Sequence, residues 1–281
     1  MANERLRSSA TGAGAIRIGD IEVERLGFGA MRITGPGIWG PPRDRDGCLA
    51  LLKRAVEGGV NFIDTADSYG PHVSEELIAE ALHPYPDGLV IATKGGLVRP
   101  GPSSWQPNCH PQHLRQACEA SLKRLRLDCI TLYQLHTVDP RVPLEDSLGE
   151  LVRLQQEGKI RYIGVSNEGA DQLRRARRVA TIVSVQNRYN IGDRADDEIV
   201  DICARERMAF IPWAPLGSGR LAATARKHNA TPAQVALAWL LARSPAMLPI
   251  PGTSSIAHFD ENMQAANIRL SESEFREIAL G

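Results

Sequence analysis

The 281-residue chain is predicted to fold as an α/β protein, a closed (β/α)8 TIM barrel preceded by a short N-terminal β-hairpin. Three observations predict it. Short apolar runs alternate strictly with stretches of helical periodicity, the pattern of parallel strands buried on both faces. Hydrophobic residues make up 43% of the chain, enough for a large core. No linker rich in Gly, Pro or Ser divides the sequence, so residues 15–281 read as one barrel domain and residues 1–14 as a flexible polar tail.

The elements follow in order. Ile16–Val23 alternates on either side of Gly19 and Asp20, as a hairpin does. Leu26–Met31 reads as the first barrel strand, and the Gly- and Pro-rich loop Thr34–Arg43 carries Trp39. Asp44 caps a helix with Cys48, Leu51, Leu52, Ala55 and Val56 on one face, and Gly58 and Gly59 stop it. The short apolar run that ends at Asp64 is the second strand, Ser74 is expected to cap a helix over Glu75–Leu82, and Leu89–Thr93 is the third strand. Gly95–His110 reads as a long loop, after which Pro111 opens a helix. Strand Ile130–Leu135, helix Leu144–Glu157 and strand Tyr162–Val165 continue the rhythm. A helix around Asp171–Val179 leads into Ile182–Val185, and one around Asp196–Arg205 into Ala209–Ile211. Thr231 and Pro232 begin a helix over Ala233–Ala242. Met247–Ile250 is the last strand, a helix around Ala257–Ala266 closes the unit, and a short tail follows Leu270.

Charge and cysteine usage exclude several classes. Lys+Arg and Asp+Glu both number 33, so no net field favours nucleic acid or an anionic membrane. The run Arg174–Arg178 reads as a solvated helix face. Five cysteines without a C-x-x-C pair suit reduced thiols in the cytoplasm and neither a disulfide framework nor a metal site. There is no apolar leader and no run near the ~20 residues that span a bilayer. A monomer or small homo-oligomer without nucleic-acid or membrane partners is expected.

A barrel carries its active site at the C-terminal ends of its strands. The ionisable residues reached there are Asp64, Lys94 and His136, with Tyr69 in the loop five residues past Asp64. Together they suit carbonyl reduction with a nicotinamide cofactor, in which the oxygen gains charge and must be protonated. Tyr69 can donate that proton, and the Lys94 ammonium favours the phenolate left behind. Asp64 keeps the ammonium charged, and His136 can orient the substrate oxygen. Ser166, Asn167 and Gln186 can hold a planar amide such as the nicotinamide carboxamide, and Trp213 offers a flat face to its ring. Trp39, Tyr69 and Trp105 are expected to edge the substrate pocket. A metal-dependent hydrolase on the same barrel would need more ligands than Asp64 and His136 provide.

From about Ile16 to Glu277 the sequence resembles the aldo-keto reductases. The segments that carry the resemblance are Phe62–Ala66 with Tyr69-Gly70, Thr93-Lys94-Gly95, Gln134-Leu135-His136, Gly164–Asn167 and Val185–Asn187, then Trp213–Gly217 and Ile250–Thr253. Gly35–Arg45, Tyr69–Val73 and Gly252–His258 are similar to the bacterial pyridoxal-reductase branch. The resemblance implies Tyr69 as proton donor, Lys94 and Asp64 as its tuning pair, and His136 as orienting group. It implies a cofactor site of Met31, Ser166, Asn167, Gln186, Trp213, Ala214 and Pro215, with Leu216, Gly217, Ser218 and Gly219 along the pyrophosphate. Gly252, Thr253, Ser254 and His258 would meet a 2′-phosphate, and Glu261 and Asn262 the adenine. NADPH is the expected cofactor, with NADH as the alternative because no Lys or Arg stands in that last stretch. The expected substrate is a small-molecule aldehyde or ketone, pyridoxal among the candidates. The alternative is a catalytically weak, cofactor-binding, redox-sensing subunit of the same fold.

Overall fold

The computed structural model describes residues 9–217 and 221–280. Seven strands form one parallel sheet: β3 (Phe28–Gly29), β4 (Phe62–Asp64), β5 (Val90–Gly95), β8 (Ile130–Leu135), β9 (Ile160–Ser166), β10 (Ile182–Gln186) and β11 (Ala209–Phe210). They lie in chain order, each paired with the next. Helices α1 (Arg45–Glu57), α2 (Val73–Leu82), α3 (Pro111–Leu125), α4 (Leu144–Gln156), α5 (Ala170–Val179) and α6 (Asp197–Glu206) join consecutive strands. After β11 come α7 (Ala222–Lys227), α8 (Pro232–Arg243), α9 (Ile256–Met263) and α10 (Glu272–Leu280).

Residues 247–250 fill the eighth strand position and close the barrel. Leu248 N–H donates to Phe210 O at 2.8 Å, and Gly27 N–H donates to Pro249 O at 3.0 Å. The ladder is thin because Pro249 and Pro251 have no N–H to give. A hairpin of β1 (Ala15–Ile18) and β2 (Ile21–Glu24) precedes the sheet, and its Ile18 and Val23 belong to the same buried cluster as Phe62, Val90, Leu132 and Leu248. It therefore plugs one end of the barrel interior. The remaining core lies between sheet and helices, where the apolar faces of α3–α6 and of α1 and α2 are buried.

Local sequence explains the helix ends. The Asp44 carboxylate accepts from Gly47 N at 2.9 Å at the start of α1, and Thr231 with Gln234 forms a capping box at the start of α8. Ser74 differs from expectation. It lies inside α2, whose N-cap is His72 in the left-handed region at φ 74°, and its hydroxyl donates to Ala30 O at 3.0 Å. The segment read as a loop over Gly95–His110 contains a second hairpin, β6 (Leu97–Gly101) with β7 (Ser104–Pro107). Short helices α7 and α10 are further elements beyond the sequence reading. Where a tail was expected over 1–14, residues Ser9–Ala13 form a 3-10 turn with Ala10 fully buried. Among the described residues no helix is long and apolar enough to cross a membrane, and all five cysteines are free.

Candidate active site

The sheet register brings the acid–base residues together. Asp64 pairs with Ala92, so Lys94, two residues on, projects from the same face of the neighbouring strand. Lys94 Nζ donates to Asp64 Oδ2 at 2.7 Å, to Thr65 O at 2.8 Å and to the Tyr69 hydroxyl at 3.4 Å. Lys94 is 0% exposed and Asp64 2%. Burial works against the ammonium, but Asp64 and the phenol outweigh it, and the Lys94 pKa rises above its ordinary value. Lys94 is therefore a cation at neutral pH.

The second carboxylate oxygen of Asp64 is also taken. Gln186 Nε2 donates to Asp64 Oδ1 at 2.8 Å and Gln134 Nε2 does so at 3.2 Å. Gln134 reaches across because Gly164 has no Cβ; one built there would stand 2.9 Å from Gln134 Cγ. Gln186, expected to hold an amide, thus spends its N–H on Asp64. Gln134 went unread in the sequence, although a polar residue inside the apolar run Ile130–Leu135 was the available signal.

Tyr69 is 7% exposed. Burial raises its pKa and Lys94 lowers it, and burial wins, so the phenol keeps its proton in the free protein. The sequence reading had only the second effect. His136 stands edge-on to the Tyr69 ring with centroids 5.8 Å apart, and its Nδ1 lies 3.4 Å from Ser68 Oγ. Burial first, and then Lys94, hold its pKa well below the ordinary 6.5, so the imidazole is neutral.

Beside this cluster Asn167, at φ 58°, donates through Nδ2 to His136 O and to Ser166 Oγ, each at 3.0 Å. Trp213 Nε1 donates to Asn167 Oδ1 at 3.0 Å, and Ser166 Oγ donates to Gln186 O at 2.8 Å. The predicted amide-binding residues are thus cross-linked at adjacent strand ends, with the Trp213 plane fixed by its own N–H. Ala214–Gly217 continue from Trp213, and Asn190 Nδ2 donates to Ala214 O at 2.9 Å. Leu216 is 44% exposed. Ser218 and Gly219 lie outside the described residues.

A cavity of about 600 Å³ opens between the first βα loop and the last strand end. Met31, Gly252, Thr253 and Ser254 line it, as do Arg32 and Arg43, which the sequence reading had not chosen. Neither guanidinium has an ion-pair or hydrogen-bond partner among the described residues. Gly29 and Gly252 let the first and last strand ends approach closely, since a Cβ on Gly252 would stand 2.7 Å from Gly29 O. His258 is exposed on α9. Glu261 Oε1 accepts from the hydroxyl of Thr231 at the start of α8 at 2.6 Å, and Asn262 is buried.

On the other side of Tyr69 stand the predicted tryptophans. Trp105, in β7, is edge-on to Tyr69 at 6.3 Å and to His136 at 6.4 Å. Trp39 pairs with Gly70 in a single parallel bridge, and Gly40 N donates to Gly70 O at 2.6 Å. The structure thus gathers Trp39, Tyr69 and Trp105 at one mouth.

Residues 25–224 and 220–279 match the model of the aldo/keto reductase family. The chain is 48% identical over 276 residues to an uncharacterised oxidoreductase of Schizosaccharomyces pombe, covering 96% of this chain and 90% of that protein. It is 46% identical over 267 residues to pyridoxine 4-dehydrogenase of Escherichia coli, covering 91% and 93%. Among solved structures, an aldo-keto reductase from Klebsiella pneumoniae in complex with NADPH superposes with a TM-score of 0.80 at 27% identity, covering 94% of this chain and 93% of the other.

Proposed function

The chain belongs to the aldo/keto reductase family, and on that premise we propose that it is an NADPH-dependent reductase of small aldehydes and ketones, with pyridoxal-like ring aldehydes as the leading substrate class. The observation that carries this reading is the fully buried Lys94, held by Asp64 at 2.7 Å and set 3.4 Å from the phenol of Tyr69. The likeness to a pyridoxine 4-dehydrogenase supports the substrate class.

The residues present fit a phosphorylated nicotinamide cofactor. The cavity beside Gly252 holds two guanidiniums unpaired among the described residues and three hydroxyl side chains, a donor set suited to phosphate. Thr253 and Ser254 would meet the phosphate-bearing end, with Met31 and Gly252 beneath it. Ser166, Asn167 and Trp213 would hold the nicotinamide end, and Ala214–Gly217 the stretch between. When bound, such a cofactor would supply the hydride for the carbonyl carbon.

Every other duty falls to this chain. Tyr69 gives its proton to the carbonyl oxygen as charge develops there. The Lys94 ammonium stabilises the phenolate that results, and Asp64 keeps the ammonium in place through two buried bonds to its neighbours. His136 is neutral, and in the tautomer in which Nδ1 accepts from Ser68 Oγ its proton is on Nε2, free to donate to the substrate oxygen. Trp39 and Trp105 exclude water on the substrate side.

The test is consumption of NADPH with pyridoxal, simple aldehydes and cyclic ketones, beside binding of NADPH followed by tryptophan fluorescence. Turnover on at least one class that vanishes in Tyr69→Phe supports the reading. Tight NADPH binding without turnover on any carbonyl would replace it with the non-catalytic, redox-sensing role.

A further inference from the structure

We propose that Arg99 is a positioning residue that sets affinity for ring-shaped substrates by clamping the two tryptophan-bearing loops into one wall; the proposal rests on the reductase reading above. Arg99 lies on β6, in the hairpin between β5 and α3. Its Nε donates to Ser104 O at 2.8 Å, Nη1 to Ile38 O at 2.7 Å and to Ser68 O at 3.0 Å, and Nη2 to Gly37 O at 2.9 Å. Those carbonyls belong to three separate loops: the one carrying Trp39, the one carrying Tyr69, and the hairpin carrying Trp105. The guanidinium carbon also lies 3.7 Å from the Trp105 ring centroid and 5.7 Å from that of Trp39.

No carboxylate pairs with this cation among the described residues. An arginine that makes no ion pair and spends its fork on carbonyls of three loops is a clasp, and a planar fork is required for it. A lysine ammonium offers a single point of donation and cannot lie flat against an indole while bonding carbonyls on two sides. The clasp also holds backbone in an uncommon conformation. Ile38 is β-branched and sits in the left-handed region at φ 56°, next to Gly37 at φ 69°. Such a residue is strained and persists only where its surroundings fix it. The carbonyls of these two residues are among those bonded to Arg99.

The consequence for substrates follows from geometry. Trp105 meets Tyr69 and His136 edge-on, so its indole stands beside the point where a carbonyl must sit. A flat ring bearing an aldehyde packs against that wall. A two- or three-carbon aldehyde offers that wall far less surface.

The experiment compares Arg99→Ala and Arg99→Lys with the unmodified protein, using pyridoxal and propanal as substrates. Arg99→Ala is expected to raise KM for pyridoxal about tenfold or more with kcat changed by less than about threefold, the signature of lost binding common to ground and transition states. KM for propanal and the Kd for NADPH should move far less, and near-ultraviolet dichroism from the tryptophans should weaken. Arg99→Lys should not rescue the pyridoxal KM. Equal losses on both aldehydes, an unchanged pyridoxal KM, or rescue by lysine would each overturn the proposal. If Arg99→Ala does not fold, Arg99→Lys decides on the same split. An unmodified protein that binds no NADPH and reduces neither aldehyde would instead bring down the reductase reading, and the clasp's role with it.

Discussion

Asp64, Lys94 and His136 stand on the ends of parallel strands, whereas Trp39 and Trp105 stand on loops. The first group is fixed by the sheet register and by a buried ion pair with both carboxylate oxygens occupied. The second is fixed by one guanidinium that reaches across loops to carbonyls. The strand-end group is dry and charge-compensated, so disturbing it costs stability as well as chemistry. The loop group is partly exposed and carries an uncompensated cation, so disturbing it should alter which substrates fit while leaving the barrel intact. A mouth with one rigid side for chemistry and one adjustable side for recognition results.

The largest way to break the contrast is at the phenol. Tyr69→Phe removes the proposed proton donor but neither the ion pair nor the wall. Steady-state assays are expected to show kcat down by about 10²–10⁴-fold, the usual share of general acid catalysis, with NADPH binding within about twofold of the unmodified protein. Retention of most of the turnover would move the donor's role elsewhere, His136 being next in line.

The second prediction turns on stability. Asp64→Asn leaves the Lys94 ammonium buried and without its counter-charge, and urea unfolding should show a loss of about 3–5 kcal/mol. Adding Lys94→Met should recover much of that loss while activity stays absent. If Asp64→Asn alone melts like the unmodified protein, the pair does not organise the strand ends as described. No comparable loss is expected from Trp105→Leu, because that side chain leaves no buried charge behind.

A third prediction concerns pH. Asp67, beside the cluster, is buried with Oδ1 unpartnered, and burial, with Glu75 adding to it, pushes its pKa from 3.8 up to about 8. Glu168, next to Asn167, is likewise buried with both oxygens unpartnered, and burial raises it from 4.5 to about 8. Between the ordinary and raised values the folded protein holds protons that the unfolded chain has released. Stability therefore falls as pH rises through that window and levels off above about 8, with a slope of at most about 1.4 kcal/mol per pH unit for each group. His136 acts in the opposite sense: its depressed pKa makes stability fall as pH drops below 6.5. Asp67→Asn and Glu168→Gln should each flatten the decline between the ordinary carboxyl values and about pH 8 in melting curves taken across pH. An unchanged profile in both variants would show that these carboxyls are already ionised at neutral pH.

The same contrast explains what could be read in advance. The strand-end cluster was legible because buried strands advertise themselves as apolar runs, and a charge at the end of such a run is conspicuous: Asp64, Lys94 and His136 all satisfy this. The clasp was not. Residues 97–107 contain Pro100, Pro102 and Pro107 and lack alternation, so the hairpin depends on tertiary bonds from Arg99 to Ser104 and on the docking of Ser103 N to Gly37 O at 3.0 Å. Nothing local in the sequence records those bonds. Ser74 was misplaced for a related reason, its hydroxyl being drawn to Ala30 O across the fold and not to its own helix end. The direction of the Tyr69 shift also needed coordinates, because burial and the nearby ammonium oppose each other and only the depth of the phenol decides between them.

The cofactor end extends the comparison to a region with neither a buried pair nor a clasp, and it should give the smallest effect. Arg32 and Arg43 line the cavity beside Thr253 and Ser254, and their guanidiniums are exposed and unpaired. Asp44, the carboxylate on the same cavity, is committed to Gly47 N–H at the start of α1 and does not neutralise them. If these arginines face the 2′-phosphate, Arg32→Ala and Arg43→Ala should each weaken NADPH by up to about tenfold, near 1.4 kcal/mol, while NADH changes by less than about twofold. Fluorescence titrations at two salt concentrations would check it, since an exposed charge contact weakens as salt rises. Equal weakening of NADPH and NADH would place the arginines against the shared pyrophosphate. Preference for NADPH would then rest on Thr253, Ser254 and the exposed His258.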